Sequence, residues 1–456
     1  MLNKVLYIVI EVSSREYSSR LILAIEAANR GYDVIIGYKY PIIQIALTSS
    51  QRGFFYHKSP PLKSEKFLEV LKKRGFIISA QYEEGGFIYR DYEKFYNENV
   101  VLKNIKNLDL YFCWGKEEYD FLKFISNENS QIVKCTGSPR TTLWGADYGE
   151  KYFKQEIDLV VKKYGKYVLF ASNFGSANNV LPEEEYINFI KSIDEEIWKN
   201  DIAPVHKFIS RRQNTYFDLF VAAAKQIAEE GEFKVIIRPH PSESVVRWEE
   251  AIDNCQNIFV EFGDDIGPWI FGSQFLIHNG CTTGIESVYS EKISFALGYE
   301  SEDLYNTYES IPNDLSIPVF GLEDLKEKIS KRDDIWEEIK ANHDSILAEK
   351  LYFPGTRVPS KLIIDEFDKM NPINESKILR RNYALYLRKF LSNFKYNYLS
   401  TQKSQDQILE KKKRPYIENA VIQKDIKELM KVLGINGEIS VKQLAPNAYS
   451  LRKQIK

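Results

Sequence analysis

Apolar and polar positions alternate along this chain at the spacing of strands and helices in an α/β protein. Residues 4–10 form an apolar run that predicts a buried strand, and residues 21–30 carry the periodicity of a helix. Gly31 ends that helix, and residues 32–37 form a second apolar run. A strand, a helix and a strand at this spacing predict a βαβ unit, and therefore a parallel sheet.

The same pattern continues in two series. The first adds predicted strands at residues 75–79, 108–112 and 131–135. The second has predicted strands at residues 167–171, 233–237, 258–260, 275–278 and 293–297, with a mainly helical insertion near 182–230. We therefore predict two Rossmann-like, doubly wound domains, residues 1–150 and 151–365. They are expected to face a cleft that holds the ligand at the carboxyl ends of the strands.

The last part of the chain, residues 366–456, is predicted to be a basic, mainly helical tail. From Asn371 to the end there are 18 Lys and Arg and 7 Asp and Glu, a net charge of +11, against −2 for the whole chain. Such a tail favours an anionic partner such as a membrane surface or a lipid phosphate, and it shows no nucleic-acid motif. Residues 379–399 predict a basic helix whose aromatic face either lies on a membrane or packs on the body.

Cysteine usage and hydropathy limit the class of protein. The four cysteines are widely spaced and include no CxxC pair, which argues against a disulfide framework and a cysteine zinc site. The first residues do not resemble a signal peptide, and no window approaches the ~18 consecutive apolar residues of a transmembrane helix. We expect a cytoplasmic protein, soluble or peripheral at the inner face of the cytoplasmic membrane.

The strongest chemical signal is the segment Arg238-Pro239-His240-Pro241, directly after an apolar strand. Two prolines restrict the backbone there, so the side chains of Arg238 and His240 are held at the end of the strand. Arginine suits a phosphate oxygen, and histidine can donate to a leaving phosphate or act as a general acid. The alternative is a strand end with a solvated arginine.

A second signal follows the predicted strand at residues 275–278. Asn279 and Gly280 form a turn, Thr282 and Thr283 supply paired hydroxyls, and a helix is predicted to begin there. Amides and hydroxyls in this arrangement can bind phosphate, and Glu286, one turn into the helix, can reach ribose hydroxyls. The alternative is that Thr282 or Thr283 is a plain helix N-cap.

Glu83 and Glu84, followed by two glycines, form a third signal in the amino-terminal half. A carboxylate beyond a strand end can act as the general base that deprotonates a sugar hydroxyl. Paired glutamates are otherwise ordinary solvated surface.

Other polar residues follow predicted strands and are weaker candidates. Ser172 and Asn173 are expected beside the phosphate, and the acceptor-side candidates are Glu11, Ser14, Arg15 and Arg140. The pair Asp264-Asp265 has no further ligand at a useful spacing, so we predict no metal site.

Two doubly wound domains facing a cleft are the architecture of GT-B enzymes. Motifs at residues 10–16, 83–85, 111–115, 136–140 and 278–286 occur here in one order. This series resembles the bacterial surface carbohydrate (surface polysaccharide) biosynthesis proteins, and it covers residues 1–360.

The chain is more distantly similar to bacterial sialyltransferases, polysialyltransferases and capsule Kdo transferases. These enzymes carry an acidic-acidic-Gly motif, a His-Pro motif and a later pair of hydroxyl residues. The resemblance implies that Glu84 is the base, that His240 contacts the CMP phosphate or acts as acid, and that Thr282 and Thr283 hold that phosphate. This chain has two threonines where two serines are commoner, which preserves the hydroxyl chemistry.

The resemblance implies a metal-independent glycosyltransferase without a cofactor. It would move Kdo, sialic acid or another nonulosonic acid from a CMP-sugar to a glycan or lipid-linked acceptor. One alternative is a CDP-glycerol or CDP-ribitol phosphotransferase, or a UDP-sugar-using GT-B enzyme. An alternative of another class is a non-catalytic scaffold of an envelope assembly complex.

Overall fold

The computed structural model describes residues 4–59, 66–83, 105, 108–175, 177–193, 203–253, 255–263, 265–298, 311–351, 358–372 and 415–454. These residues form two compact units. The first unit takes its residues from Met1–Leu143 and Leu347–Lys456, and the second takes its residues from Trp144–Ile346. The carboxy-terminal part of the chain therefore folds with the amino-terminal part.

The first unit is built on a sheet of eight described strands. They are β1 (Val5–Ile10), β2 (Asp33–Tyr38), β3 (Gly53–His57), β4 (Ile77–Gln81), β5 (Leu110–Cys113), β6 (Val133–Cys135), β13 (Ile439–Ala445) and β14 (Ala448–Lys453). Their order is β13-β14-β2-β1-β3-β4-β5-β6, and β1 to β6 are parallel. The α-helices are Ser13–Asn29, Lys39–Thr48, Lys66–Lys73, Lys116–Ser126, Pro359–Asp368 and Asn419–Val432, and 3₁₀ helices span Asn127–Ile132 and Pro139–Leu143.

The parallel strands of this unit read as apolar runs because both faces of the sheet are covered. All six positions of β1 and of β2 are buried. On one face Tyr7, Phe55 and Tyr111 belong to a core that includes apolar residues of the helices Lys39–Thr48 and Lys66–Lys73. The strand order places β1 between β2 and β3, so the direction of winding reverses at β1.

The carboxy-terminal residues extend this sheet, and here the structure differs from the prediction of a mainly helical tail. Strands β13 and β14 form an antiparallel hairpin, and β14 pairs antiparallel with β2. The helix Asn419–Val432 buries Ile422, Ile426 and Leu429. The predicted helix at residues 379–399 lies outside the described residues. Within the described part of the chain, no helix is long and apolar enough to cross a membrane.

The second unit is built on six described strands. They are β7 (Tyr167–Ala171), β8 (Lys234–Arg238), β9 (Ile258–Val260), β10 (Leu276–His278), β11 (Ser294–Gly298) and β12 (Ile317–Phe320). The order is β12-β11-β10-β7-β8-β9, all parallel, which is the Rossmann order. The helices are Gly149–Tyr152, Lys154–Tyr164, Glu183–Ile193, Ala203–Glu230, Val245–Ala251, Gly267–Gly272, Thr283–Tyr289, Ile311–Asp314, Leu322–Ser330 and Arg332–Lys340; His343–Lys350 contains the boundary between the units.

Candidate functional site

Three neighbouring strands of the second unit carry predicted site residues at their carboxyl ends. Strand β7 lies between β10 and β8, and all three are parallel. The segments 172–173, 238–241 and 279–280 therefore follow the same edge of the sheet. The winding reverses between β7 and β10, which is where doubly wound sheets bind their ligands. The structure thus brings together the donor-side residues that the sequence predicted separately.

The His240 side chain is oriented by its own turn. Its Nδ1 lies 3.2 Å from the backbone nitrogen of Ser242 and 2.7 Å from the Ser242 hydroxyl. An amide N–H can only donate, so Nδ1 accepts, and a neutral imidazole then carries its proton on Nε2. Pro239 is buried and Pro241 is exposed. The turn therefore defines the tautomer of His240 as an Nε2 donor.

Asn173 and Asn279 join the loops that follow β7 and β10. The Asn173 amide donates to the Asn279 side-chain oxygen at 2.8 Å, and the Asn279 side-chain nitrogen donates to the Asn173 carbonyl at 3.2 Å. This reciprocal pair fixes the spacing of the two loops at the point where the winding reverses.

A buried neutral histidine supports the glycine turn. His278 is fully buried, and burial lowers its pKa to about 3, so the ring is uncharged. Its Nδ1 accepts from the Gly280 amide at 3.1 Å, and its Nε2 lies 2.9 Å from the Ser316 hydroxyl. Gly280 has φ +82°, a conformation that favours glycine. A Cβ at Gly284 would lie 2.5 Å from His278 Nε2, so the close approach also requires a glycine there.

The hydroxyl pair and Glu286 lie at the start of the helix Thr283–Tyr289. Thr282 occupies the N-cap position, but its side chain makes no capping hydrogen bond, so the plain N-cap alternative does not describe it. Thr283 and Glu286 are both buried. Thr282 is the more accessible of the two hydroxyl residues, being half-buried.

Arg238 lies in a different environment from the one predicted. Its guanidinium is buried, donates to the Gly263 carbonyl and stacks over Trp269 at 5.0 Å from the ring centroid. These contacts join the end of β8 to the loop that follows β9. The geometry therefore favours a structural role for Arg238, which holds the end of β8 in place, over the direct phosphate contact predicted from the sequence.

Sequence reasoning did not single out Glu243, whose carboxylate is the centre of this edge. Glu243 is 1 % exposed. Its two oxygens accept from the Ser172 hydroxyl at 2.8 Å, the Phe174 amide at 2.8 Å, the His240 amide at 3.3 Å and the Trp248 indole at 2.8 Å. Burial raises the pKa of Glu243, and the four donors oppose that rise. No sequence spacing indicates such a convergence of donors.

In the first unit, Glu83 is held on three sides. Its backbone nitrogen donates to the Lys58 carbonyl at 3.1 Å, and its own carbonyl accepts from Arg140 Nη1 at 2.9 Å. Its buried carboxylate lies 2.5 Å from Arg20 Nη2. A carboxylate held in a buried ion pair with a guanidinium is not free to approach an acceptor hydroxyl, so the geometry favours a structural role for Glu83. The predicted base, Glu84, lies outside the described residues.

Three acceptor-side candidates, Glu11, Ser14 and Arg15, lie at the amino end of the helix Ser13–Asn29, and Arg140 lies in the 3₁₀ helix Pro139–Leu143. Glu11 forms an ion pair with Lys58, and Ser14 is exposed. The buried carboxylate of Glu16 accepts from the Glu11 amide at 2.8 Å and lies 3.6 Å from Arg15 Nη2. Glu16 belongs to the same strand-to-helix turn, where the sequence predicts acceptor contacts.

Burial raises the pKa of Glu16 from an ordinary 4.5 to about 7, and the nearby Glu83 charge adds to the rise. This raised pKa makes the free energy of unfolding depend on pH, and we expect Glu16→Gln to remove that dependence. The folded chain keeps this proton between about pH 5 and pH 7, where the unfolded chain has released it. Stability contributed by the protonated carboxyl is therefore lost as the pH rises, by about 2 kcal/mol over that range. Urea unfolding of the wild-type chain and of Glu16→Gln at several pH values measures this difference. If the free energy of unfolding of the two proteins changed with pH in the same way, the raised pKa of Glu16 would be contradicted.

The chain was compared with known proteins. No family model and no curated sequence matches it. Among solved structures it is similar to S. aureus MnaA in complex with UDP, at 12 % identity and a TM-score of 0.51, over 82 % of this chain and 99 % of that chain. It is also similar to the UDP-GlcNAc 2-epimerase from Neisseria meningitidis bound to UDP-GlcNAc, at 11 % identity and a TM-score of 0.48, over 80 % of this chain and 100 % of that chain. The wall teichoic acid polymerase TagF is similar at 10 % identity and a TM-score of 0.46, over 80 % of this chain and 88 % of that chain. The similarity to MnaA confirms the predicted α/β fold of the GT-B type.

Proposed function

We propose that this chain is a glycosyltransferase of bacterial surface polysaccharide biosynthesis. It transfers a sugar, of the Kdo, sialic or other nonulosonic acid class, from a CMP-sugar to a glycan or lipid-linked acceptor. The supporting observation is the carboxyl edge of the second unit, where His240, Asn279, Gly280 and Thr282 lie at the reversal of winding.

The proposed reaction follows from the residue types. Glu84 takes the proton of the acceptor hydroxyl, and the acceptor oxygen forms a bond to the anomeric carbon. The bond from that carbon to the CMP phosphate oxygen breaks, and the electron pair leaves with the phosphate. Donation from His240 Nε2 and the Thr282 hydroxyl stabilises the charge on the leaving CMP, without metal or cofactor. We propose that Arg238 acts indirectly, by bracing the end of β8 that carries His240.

The site and the tail indicate the partners that we propose. The donor binds the second unit, and the acceptor binds the first unit near Glu11, Ser14, Arg15 and Arg140. We propose that the basic stretch from residue 371 onward attracts anionic lipid and so holds the enzyme at the inner face of the cytoplasmic membrane.

A nucleotide panel tests this proposal. CMP should stabilise the wild-type protein against heat and bind in calorimetry, whereas UDP and CDP should bind more weakly. His240→Ala should weaken CMP binding by about 10- to 100-fold, because it removes a hydrogen bond to a charged group. With a CMP-sugar donor, the same variant should lower turnover by about 10²- to 10⁴-fold. The control is Glu249→Ala, an exposed position on the helix that follows the His240 turn.

The other outcomes separate the competing functions. MnaA, whose structure is similar, was solved with UDP, so preferential UDP binding would favour a UDP-sugar enzyme. Preference for CDP and CDP-glycerol would favour a phosphotransferase. Failure of all three nucleotides to bind would favour the scaffold function and overturn the proposal.

A further inference from the structure

We propose that Glu243 is a positioning residue that holds the loops after β7 and β8 in the conformation that receives the leaving phosphate. This inference rests on the proposed function, but its central measurement needs no ligand. The buried carboxylate does not itself contact the nucleotide or the sugar. It acts through the backbone of His240 and through the residues on either side of Asn173.

The four donors to Glu243 come from three separate segments. Ser172 and Phe174 belong to the loop after β7, His240 belongs to the turn after β8, and Trp248 lies in the helix Val245–Ala251. Water cannot replace any of these four bonds because the carboxylate is buried, so removing it would leave buried donors without a partner. The single carboxylate therefore fixes the relative positions of two site loops and one helix.

Backbone pairing and aromatic packing reinforce the same connection. The Val180 amide donates to the Ser242 carbonyl at 2.9 Å, and the Ser244 amide donates to the Asn178 carbonyl at 2.8 Å. The segments on both sides of Glu243 are thus bound to the chain that continues from the β7 loop. The ring centroids of Phe174 and Trp248 lie 5.9 Å apart, both side chains are fully buried, and both residues donate hydrogen bonds to Glu243.

The effect of Glu243 extends to both sides of the site. Asn173 lies between Ser172 and Phe174, which are both bonded to Glu243, and it forms the reciprocal pair with Asn279. On the other side, the His240 amide is held directly, so the imidazole and its Ser242 partner keep one geometry. One buried carboxylate thereby aligns groups at the ends of β8, β7 and β10.

Both acceptor oxygens of glutamate are required at this position. A carboxylate offers two acceptor oxygens, and each here receives two donors. Glutamine has the same size but offers one oxygen, and its amide nitrogen would then face either two backbone amides or the Trp248 indole. Glu243→Gln therefore leaves at least one buried N–H opposite another donor.

The test measures the His240 tautomer in ligand-free protein. In the wild-type chain labelled with ¹⁵N-histidine, long-range ¹H–¹⁵N spectra should show His240, identified by its loss in His240→Ala, as the Nε2–H form. In Glu243→Gln the spectra should show averaging of the two tautomers, and CMP affinity should fall by about tenfold or more. Phe217→Leu is the matched control, because the Phe217 ring centroid lies 4.3 Å from that of Trp248 but a phenylalanine side chain donates no hydrogen bond to the carboxylate.

The outcomes distinguish positioning from stability alone. Both variants should lower the unfolding temperature, but only Glu243→Gln should change the tautomer and the CMP affinity. An unchanged His240 signal in Glu243→Gln, or an equal change in Phe217→Leu, would overturn the inference. If the wild-type protein binds no nucleotide, the proposed function fails, while the tautomer measurement still decides the part played by Glu243.

Discussion

Replacing Arg20 by methionine should lower the free energy of unfolding by about 3–5 kcal/mol, because it leaves a buried charge without its partner. Arg20 is 1 % exposed, and its guanidinium lies 2.5 Å from the Glu83 carboxylate and 4.4 Å from the Tyr56 ring centroid. Methionine preserves much of the apolar stem but supplies no charge. Glu83 would then lie buried beside Glu16, whose pKa is already raised by burial and by Glu83 itself.

A double variant separates the missing charge from the missing packing. Glu83→Gln in the Arg20→Met background removes the uncompensated carboxylate, so it should recover most of the lost stability. The exposed ion pair between Lys154 and Asp158 provides the control, and Lys154→Met should cost less than about 1 kcal/mol. Urea unfolding measures the free energy of unfolding of the wild-type chain, of Arg20→Met, of the double variant and of Lys154→Met. If Arg20→Met cost no more than Lys154→Met, the buried ion pair would not stabilise the fold.

The buried parallel strands could be predicted from the sequence, because strands covered on both faces are continuous apolar runs. Strands β7 and β9 have the bounds predicted, and β1, β2, β8 and β11 differ from the predicted bounds by one residue at one or both ends. Of the missed strands, β12 and β13 lack this signal, whereas β3 is buried at all five positions and carries only the three-residue apolar run Phe54-Phe55-Tyr56. β12 contains Pro318 and alternates buried with exposed positions, and β13 alternates in the same way. An edge strand shows such alternation, which a search for apolar runs does not detect.

The candidate site was predictable only where its chemistry lies within one short segment. The turn at His240 combines a strand end, two prolines and a titratable ring, so it can be recognised locally. Glu243 lies three residues away, but its importance depends on Ser172 and Phe174, which are about 70 positions distant in the chain. Arg20 likewise pairs with a residue more than 60 positions away. Neither partnership leaves a periodic pattern in a single sequence.

The tail shows why composition was a poor guide to its fold. Its positive charge is concentrated at residues such as Lys411, Lys412, Lys413 and Arg414, all outside the described residues. Beyond them, the short hairpin buries Tyr449 and Leu451 in the sheet. A net charge summed over the whole segment therefore hid a structured end.

Gly37→Ala should destabilise the first unit by about 3 kcal/mol, because overpacking against backbone atoms cannot be relieved by a side-chain rotation. Gly37 is the β2 partner of Ala448 in β14. A Cβ there would overlap with the carbonyl oxygen of Asn447 and approach the Ala448 Cα to 2.8 Å. The Tyr38 amide also donates to the Asn447 carbonyl at 3.0 Å, so the hairpin turn cannot move away without breaking that bond.

The expected structural consequence is release of the hairpin from β2. Trypsin should then cleave the variant near Arg452 and Lys453 at concentrations that leave the wild-type chain intact, and mass spectrometry of the fragments would locate the cut. Gly145→Ala is the matched control, because a Cβ at Gly145 meets its nearest neighbour, the Tyr289 carbonyl oxygen, at an ordinary 3.9 Å. Equal stability and equal protease resistance of the two variants would show that β14 does not depend on Gly37 for its pairing with β2.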